Sequence, residues 1–421
     1  MVMVMRLALS AVLVLAGALR LWRLDQNGFG NEYYTAGVRS MSAGWHNFLY
    51  HAFDPAGFVS VDKPPVAMWI QVASVELFGF RGLSVLVPQV VEGVAAVALV
   101  FHLVRRRFGA PAGLLAALIL ALTPVSVAVD RSSNTESCLV LVLLLAAWAL
   151  TRAAEDGRRR FLLLSMALVG LAFNVKMLAA FVVLPTLVLV YWLGAGTTRW
   201  RRLADLTLGA VILTAVSLAW VAVYDLTPPD ALLVIPVAWS LSAVLVPGHG
   251  VLPSADLARL LADEAGASAR ARLRAGASAN VAKLIGFLTA NRADERYLLS
   301  TSTTTLAAPI ISQTGEPVMA RGGFHGLDPI VTPDKLAAMV AARQVRFVML
   351  GDLSPVSRRL GAETAGRPIV DWVHANGTPV DAALWRAVGG RRGGMQLYDL
   401  RPGGEYVLGS TPVISGGAEI E

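Results

Sequence analysis

The sequence contains little charge and almost no cysteine. Only 15% of its 421 residues are charged, whereas 55% are hydrophobic; a soluble domain usually carries about a quarter charged residues. Because the deficit lies in long apolar runs, the composition indicates lipid as the surrounding solvent rather than one large soluble core. Cys138 is the only cysteine, which excludes an intrachain disulfide and a zinc site built from several cysteines.

Motifs for metals, nucleotides and nucleic acids are also missing. The histidines His46, His51 and His102 have no ligand-like spacing. The Gly322-Gly323 string lacks the Gly-Lys-Ser/Thr ending of a phosphate loop and is interpreted as a turn. The net charge of +7 comes from short arginine clusters beside apolar runs, not from a basic face interleaved with aromatics. We therefore expect no metal, no cofactor and no nucleic-acid partner.

Eight apolar runs approach the length of about 20 residues that a helix needs to cross a bilayer. They occupy 4–22, 83–104, 111–129, 137–152, 161–176, 178–195, 203–224 and 231–247. The first resembles a cleavable signal, but more spans follow it, so an uncleaved signal anchor is expected. With the N-terminus inside, the arginine clusters at 105–107, 158–160 and 199–202 all lie on the cytoplasmic side. This register predicts a multi-pass plasma-membrane protein.

The composition changes after the last apolar run. We predict a transmembrane domain over 1–247, a helical linker over 248–293, a small α/β domain over 294–402 and a tail over 403–421. Short β-like runs alternate with helical ones in the α/β part, as around Val345–Leu350. A complete crossing at 231–247 would leave this domain inside the cell.

The long first outward loop, 23–82, holds most of the patterned polar residues. Connections between elements are usually about 4 to 6 residues, so this loop is too long for a simple connector. Residues 32–48 and 64–78 look like helices at the membrane surface, with tryptophans as interfacial anchors. Carboxylates and one lysine are thereby held near the lipid headgroups.

That placement suits the transfer of a sugar carried on a lipid phosphate. Such a reaction needs a carboxylate to deprotonate the acceptor hydroxyl and a cation to neutralise the phosphate leaving group. Asp62 and Lys63 supply one of each. The alternative is that Asp62 caps a surface helix with Pro64 in its first turn.

Several strings together resemble the polyprenyl-phosphate-dependent glycosyltransferases of the GT-C class. This group includes protein O-mannosyltransferases and the aminoarabinose transferase that modifies lipid A. Within it, the strings are most similar to the bacterial family-39 branch of mannosyltransferase-like proteins. They are Asn31-Glu32-Tyr33-Tyr34, Trp45-His46-Asn47-Phe48, Phe53-Asp54-Pro55-Ala56-Gly57-Phe58, Val61-Asp62-Lys63-Pro64-Pro65, Asp130-Arg131-Ser132-Ser133-Asn134 and Gly322-Gly323-Phe324-His325-Gly326-Leu327-Asp328-Pro329.

The resemblance implies an inverting transfer from polyprenyl phosphate to an acceptor on the outer face. Lys63 matches the family lysine that contacts the lipid phosphate, and Arg131 is a second candidate for that role. Asp130 and Glu136 lie where the family has a second acidic site. The expected partners are a polyprenyl-phosphate sugar, membrane lipid, and a lipid, glycan or protein acceptor.

Two departures from the family pattern leave alternatives open. The family's first-loop Asp-Glu pair is Asn31-Glu32 here, so the general base is one of Asp62, Glu32 and Asp54. The relatives also have more spans before an outward C-terminal domain, which suggests that internal spans are missing. The prediction is a hexosyltransferase of mannose type; a lipid-substrate transporter or flippase and an inactive, shortened paralogue are the alternatives.

Overall fold

The computed structural model describes residues 2–225, 264–387, 394–401 and 406–407. These residues form two compact units. The membrane unit contains residues 2–34 and 62–225, and the α/β unit contains residues 35–61 and the described residues from 264 onward. The predicted eighth run, 231–247, lies outside the described residues.

Helices account for about three quarters of the first 225 residues. In chain order they are α1 Val2–Leu21, α2 Glu32–Met41, α3 Trp45–Leu49, α4 Val66–Phe78, α5 Gly82–Leu122, α6 Pro124–Asp130, α7 Glu136–Asp156, α8 Arg159–Lys176, α9 Leu184–Gly194 and α10 Arg199–Asp225. Short 3₁₀ turns cover Leu24–Asn27 and Met177–Val183. The predicted helix over 32–48 is present as two helices, α2 and α3, and the predicted helix over 64–78 is present as α4. Their location at the membrane surface stays a prediction.

Five helical segments within the described residues are long and apolar enough to cross a bilayer. They are Met3–Leu21, Gly82–Leu122, Glu136–Asp156, Arg159–Gly194 and Arg199–Tyr224. The predicted polytopic helical fold is thereby confirmed, and the chain is a multi-pass membrane protein.

The segment Gly82–Leu122 contains two of the predicted runs. Gly109 interrupts it with φ 83° and ψ 169°, a conformation that a residue with a Cβ adopts only under strain. The two halves pack against each other, since Val97 and Phe101 share one buried cluster with Ala117 and Ala121. The chain thus turns back at Gly109, which separates the predicted runs 83–104 and 111–129.

The arginine clusters that were predicted to be cytoplasmic form ion pairs at one end of the membrane unit. Arg106 and Arg107 contact the Glu155 carboxylate at 2.6 and 3.0 Å. Arg159 contacts Asp205 at 2.5 Å, which joins the start of α8 to α10. The three arginine clusters therefore occupy one end of the unit, as the topology predicted.

The α/β unit contains a five-stranded sheet with the order β2-β1-β3-β5-β4. The strands are β1 Leu299–Thr301, β2 Val318–Ala320, β3 Phe347–Leu350, β4 Thr378–Pro379 and β5 Gln396–Asp399. The helices are α11 Glu264–Asn291, α12 Thr304–Thr314, α13 Pro333–Ala341, α14 Pro355–Arg359, α15 Ala362–Asn376 and α16 Ala382–Trp385. The predicted small α/β region is thereby present.

Three of the strands run parallel. Ser300 of β1 lies in register with Met319 of β2 and with Val348 of β3. On the other side of β3, Val348 pairs with Tyr398 of the antiparallel β5. Because β1, β2 and β3 point the same way, the loops that follow them emerge along one edge of the sheet.

The middle of the first loop belongs to the α/β unit. Arg39 donates a hydrogen bond to the Ser312 carbonyl at 2.9 Å, and Arg296 donates to the Ala56 carbonyl at 2.7 Å. The rings of Phe58 and Tyr297 meet edge to face with centroids 5.8 Å apart. Because residues 35–61 lie in the predicted outward loop, we expect the α/β unit on the outer side as well.

A reporter fused at the C-terminus tests the side of the α/β unit. We expect alkaline phosphatase fused there to be active, because this reporter is active only on the outer side. A fluorescent protein fused there should be dark, because on the outer side it does not become fluorescent. A matched fusion after Asp156, at the end with the arginine clusters, should give the opposite pattern. An inactive phosphatase at the C-terminus would instead support a complete crossing at 231–247.

Candidate functional site

Asp62 and Lys63 form an ion pair near the start of α4. The Lys63 Nζ lies 2.5 Å from Asp62 Oδ2, and the two side chains are 18% and 14% exposed. The Asp62 backbone N–H donates to the Tyr33 hydroxyl at 3.0 Å. Asp62 Oδ1 is buried, and none of the described residues donates a hydrogen bond to it. This oxygen is therefore a carboxylate acceptor without a donor.

Asp62 does not cap α4, which overturns the alternative raised from the sequence. The N-cap position is Pro65, and no side chain makes a capping hydrogen bond there. The two prolines instead stand between the Asp62–Lys63 pair and the first helical residue, Val66. Their fixed φ angles stiffen the link that holds the pair.

A second ion pair lies between the start of α7 and the end of α8. Lys176 Nζ contacts Glu136 Oε1, and the two side chains are 29% and 30% exposed. The other carboxylate oxygen of Glu136 accepts from the Thr135 backbone N–H at 3.1 Å. Glu136 was predicted from the sequence as part of a second acidic site, but its pairing with Lys176 was not.

The two ion pairs occupy the same end of the membrane unit. Ala67, at the start of α4, packs in one buried cluster with Cys138 of α7 and with Val175 of α8. Each of these three residues is at most four positions along the chain from a member of an ion pair. The ends of α7 and α8 involved are opposite to the ends that hold the arginine clusters.

Tyr34 connects the two ion pairs electrostatically. Burial raises the pKa of its hydroxyl well above the ordinary value, and the negative charges of Asp62 and Glu136 raise it further. Both carboxylates therefore lie within electrostatic range of one phenol. The hydroxyl stays protonated at neutral pH and is available as a donor.

Glu32 is the first residue of α2 and lies beside this tyrosine pair in the chain. Glu32 is exposed as a whole residue, but partial burial of its carboxylate removes water from it and thereby raises its pKa. Asn31 Oδ1 accepts from the Tyr33 backbone N–H at 3.0 Å. Asn31, which stands where the family that the sequence resembles has an aspartate, thus caps the N-terminus of α2.

Asp130 takes part in a buried network that involves Arg20. Arg20 Nε donates to Asp130 Oδ2 at 2.7 Å, and Ser137 Oγ donates to Asp130 Oδ1 at 2.6 Å. Arg20 is fully buried, and burial raises the pKa of Asp130 against these contacts. Arg20 was not predicted as part of this site, because the sequence shows it only as a charged residue inside the first apolar run.

Arg131 binds the end of α1. Its guanidinium donates to the Arg20 carbonyl at 2.9 Å and to the Leu19 carbonyl at 3.1 Å. In return, Asn27 donates to the Arg131 carbonyl at 2.9 Å. These contacts satisfy carbonyls at a helix end, and a role of Arg131 in phosphate binding stays a prediction.

Asp54 belongs to the α/β unit. Its carboxylate accepts from the backbone N–H groups of Ala56, Phe58 and Val59 at 3.0, 2.8 and 3.1 Å. The side chain is fully buried, and this burial raises its pKa to about 7 despite the three donors. The geometry fixes a loop within the unit, and the role of Asp54 as a base stays a prediction.

The raised pKa of Asp54 predicts a pH-dependent stability. An acid with a higher pKa in the folded state binds a proton on folding, so its contribution is lost as pH rises toward 7. The loss between pH 4 and 7 is at most about 4 kcal/mol. We expect the unfolding temperature of the wild type to fall more steeply over this range than that of Asp54→Asn. Parallel pH profiles for the two proteins would contradict this prediction.

Two family models match separate parts of the chain. Residues 62–220 match the model described as dolichyl-phosphate-mannose-protein mannosyltransferase. Residues 284–376 match the model described as the C-terminal part of YkcB-like putative mannosyltransferases. The first match covers both ion pairs, and the second covers most of the α/β unit.

Two curated proteins of Bacillus subtilis (strain 168) are similar to half of this chain. The putative mannosyltransferase YycA is 44% identical over 218 residues, which is 52% of this chain and 32% of YycA. The putative mannosyltransferase YkcB is 40% identical over 222 residues, which is 53% of this chain and 31% of YkcB. The chain thus spans about a third of the length of these relatives.

Solved structures of ArnT from Cupriavidus metallidurans resemble part of the fold. The apo structure aligns with a TM-score of 0.43 and 22% identity over 54% of this chain and 42% of ArnT. The structure bound to undecaprenyl phosphate aligns with a TM-score of 0.42 and 23% identity over the same shares. The family models and the curated relatives thus show that parts of this chain are similar to mannosyltransferase-like proteins.

Proposed function

We propose that the chain is a glycosyltransferase that moves a hexose of mannose type from polyprenyl phosphate to an acceptor hydroxyl. The reaction takes place at the outer face of the plasma membrane. The observation that carries this proposal is the pair of lysine–carboxylate contacts, Lys63 with Asp62 and Lys176 with Glu136, at one end of the membrane unit. The description of the matching family model, which names a polyprenyl-phosphate mannose donor, supports the choice of donor.

The two lysines bind the phosphate of the donor. The phosphate diester that joins the sugar to the prenyl chain carries one negative charge. A second negative charge develops on this phosphate as the bond to the sugar breaks. Cations placed where charge develops lower the barrier more than cations that bind substrate and transition state equally. Both lysine side chains are partly exposed, so an incoming phosphate has access to them.

A carboxylate accepts the proton of the acceptor. The acceptor oxygen attacks the anomeric carbon, the bond from that carbon to the phosphate oxygen breaks, and the hydroxyl proton passes to the carboxylate. Asp62 is the first candidate because its Oδ1 has no hydrogen-bond donor and its other oxygen is held by Lys63. Glu32 and Asp54 remain the other candidates for the base.

Membranes that contain the chain test this proposal. We expect transfer of radiolabelled mannose from polyprenyl-phosphate mannose to a membrane acceptor, and a loss of at least about 100-fold in Asp62→Asn. Glu32→Gln and Asp54→Asn, assayed in parallel, distinguish the three carboxylates. Asp156→Asn, at the opposite end of α7, is the matched control and should keep the wild-type rate. Wild-type activity in both Asp62→Asn and Lys63→Ala would reject this site.

A further inference from the structure

The α/β unit contains a large cavity that the proposed transfer reaction does not use. Its volume is about 960 Å³, and it lies where β1, β2 and β3 end. Ser302 follows β1, Arg321 follows β2 and Gly351 follows β3, and all three residues line the cavity. In open α/β sheets, ligands bind outside the carboxyl ends of parallel strands.

Polar side chains hold the turn after β1 at the base of the cavity. Arg321 is only 6% exposed and donates to Ser302 Oγ at 2.7 Å and to the Met349 carbonyl at 3.0 Å. Asp352 binds the same turn, because its Oδ2 accepts from the Ser302 backbone N–H at 2.8 Å. A buried cation and a buried carboxylate thus hold one turn from two sides.

One wall is a polar stripe on α15. Glu363, Arg367, Asp371 and His374 all line the cavity. Their spacings of four, four and three residues place them on one face of the helix. Such neighbours usually form ion pairs, yet among the described residues neither Glu363, Arg367 nor Asp371 has an ion pair. The three side chains are exposed to solvent on the side of α15 that lines the cavity, so a ligand bound there can reach their donors and acceptors.

The charge of the lining decides the class of ligand. Three arginines line the cavity, Arg321, Arg358 and Arg367, and three carboxylates do so as well, Asp328, Glu363 and Asp371. Because these charges are equal in number, the lining offers a phosphate or nucleotide no net attraction, and its carboxylates repel such an anion. A neutral ligand rich in hydroxyl groups meets no such repulsion, since each hydroxyl both donates and accepts.

We propose that the α/β unit binds a neutral oligosaccharide in this cavity. The volume accommodates several sugar rings, and unpaired arginine and aspartate side chains recognise neighbouring hydroxyls as donor and acceptor. The ring of Tyr398, which also lines the cavity beside His374, offers an apolar face to a sugar ring. This site is separate from the lysine–carboxylate pairs and does not depend on the proposed transfer.

Titration of the full-length protein in detergent tests the site. The probes are mannotriose, maltotriose and chitotriose as neutral oligosaccharides, with inorganic phosphate and ADP as anions. We expect saturable binding of at least one neutral probe, followed by calorimetry, and no saturable binding of either anion. Binding of the anions alone, or of none of the probes, would overturn the proposal.

Two variants locate the binding in the cavity. Arg367→Ala and Asp371→Ala each remove one partner of the sugar hydroxyls, and we expect each to weaken binding about tenfold. Arg359→Ala removes an exposed arginine of α14 that does not line the cavity, and it should bind as the wild type does. If all three variants bind the sugar with the affinity of the wild type, the sugar binds elsewhere and this cavity is rejected as its site.

A further control separates this site from the proposed transfer. Because Lys63 does not line the cavity, Lys63→Ala should bind the probes as the wild type does even if it loses transfer.

Discussion

The substitution Lys63→Ala is expected to weaken the binding of polyprenyl phosphate by about 10- to 100-fold. In the proposed reaction the lysine provides a charge-assisted hydrogen bond to the phosphate, and such a bond contributes about 1.5–3 kcal/mol. The substitution also removes the cation that lies 2.5 Å from Asp62 Oδ2, so a bare carboxylate then faces the phosphate. Native mass spectrometry or fluorescence titration with undecaprenyl phosphate on the purified protein measures the change.

Two controls make this result specific. Lys335→Ala removes a lysine of α13, whose side chain donates a hydrogen bond to the Ile330 carbonyl, and should leave binding unchanged. Lys176→Ala removes the second cation and should weaken binding in the same direction as Lys63→Ala. If Lys63→Ala binds the lipid as tightly as Lys335→Ala does, then Lys63 is not a phosphate ligand.

The substitution Arg20→Leu is expected to destabilise the protein more than any change at the exposed ion pairs. It removes the cation from Asp130, whose side chain is only 4% exposed, and leaves a buried carboxylate without its charged partner. Removing one partner of a buried pair typically costs about 3–5 kcal/mol. Thermal unfolding in detergent, followed by size exclusion, should show a clearly lower midpoint than that of the wild type.

The double variant separates the charge from the packing. Arg20→Leu/Asp130→Leu removes both buried charges, so we expect it to regain part of the stability lost in Arg20→Leu. Arg23→Leu, which changes an exposed arginine one turn further along, is the control and should unfold near the wild-type midpoint. A wild-type midpoint for Arg20→Leu would show that the buried pair contributes little. Activity measured in Asp130 variants has to be interpreted together with this loss of stability.

Features that depend on nearby residues could be predicted from the sequence. The apolar runs gave the helices that cross the membrane, because run length and hydrophobicity are properties of one segment. The arginine clusters were predicted to lie on one side of the membrane, and Arg106 and Arg159 do lie at one end of the membrane unit. The pair Asp62–Lys63 was found because its two members are adjacent.

Features that depend on distant residues could not be predicted. Arg20 and Asp130 are 110 residues apart, and nothing in either segment indicates the other. Lys176 and Glu136, its partner in the second ion pair, are separated by 40 residues of sequence, so their contact could not be read from either segment. Arg39 contacts Ser312 across 273 residues, so the position of the loop segment 35–61 in the α/β unit emerges only in three dimensions.

The central claim is that Lys63 faces the outside at the lipid–water boundary, where a prenyl phosphate sugar is reached. The most direct test is labelling of Lys63→Cys in intact cells with a maleimide that does not cross membranes. Cys138, the only native cysteine, is 2% exposed and should give no background. The account predicts labelling from outside without permeabilisation. Labelling that occurs only after the cells are opened would put Asp62 and Lys63 in the cytosol and contradict it.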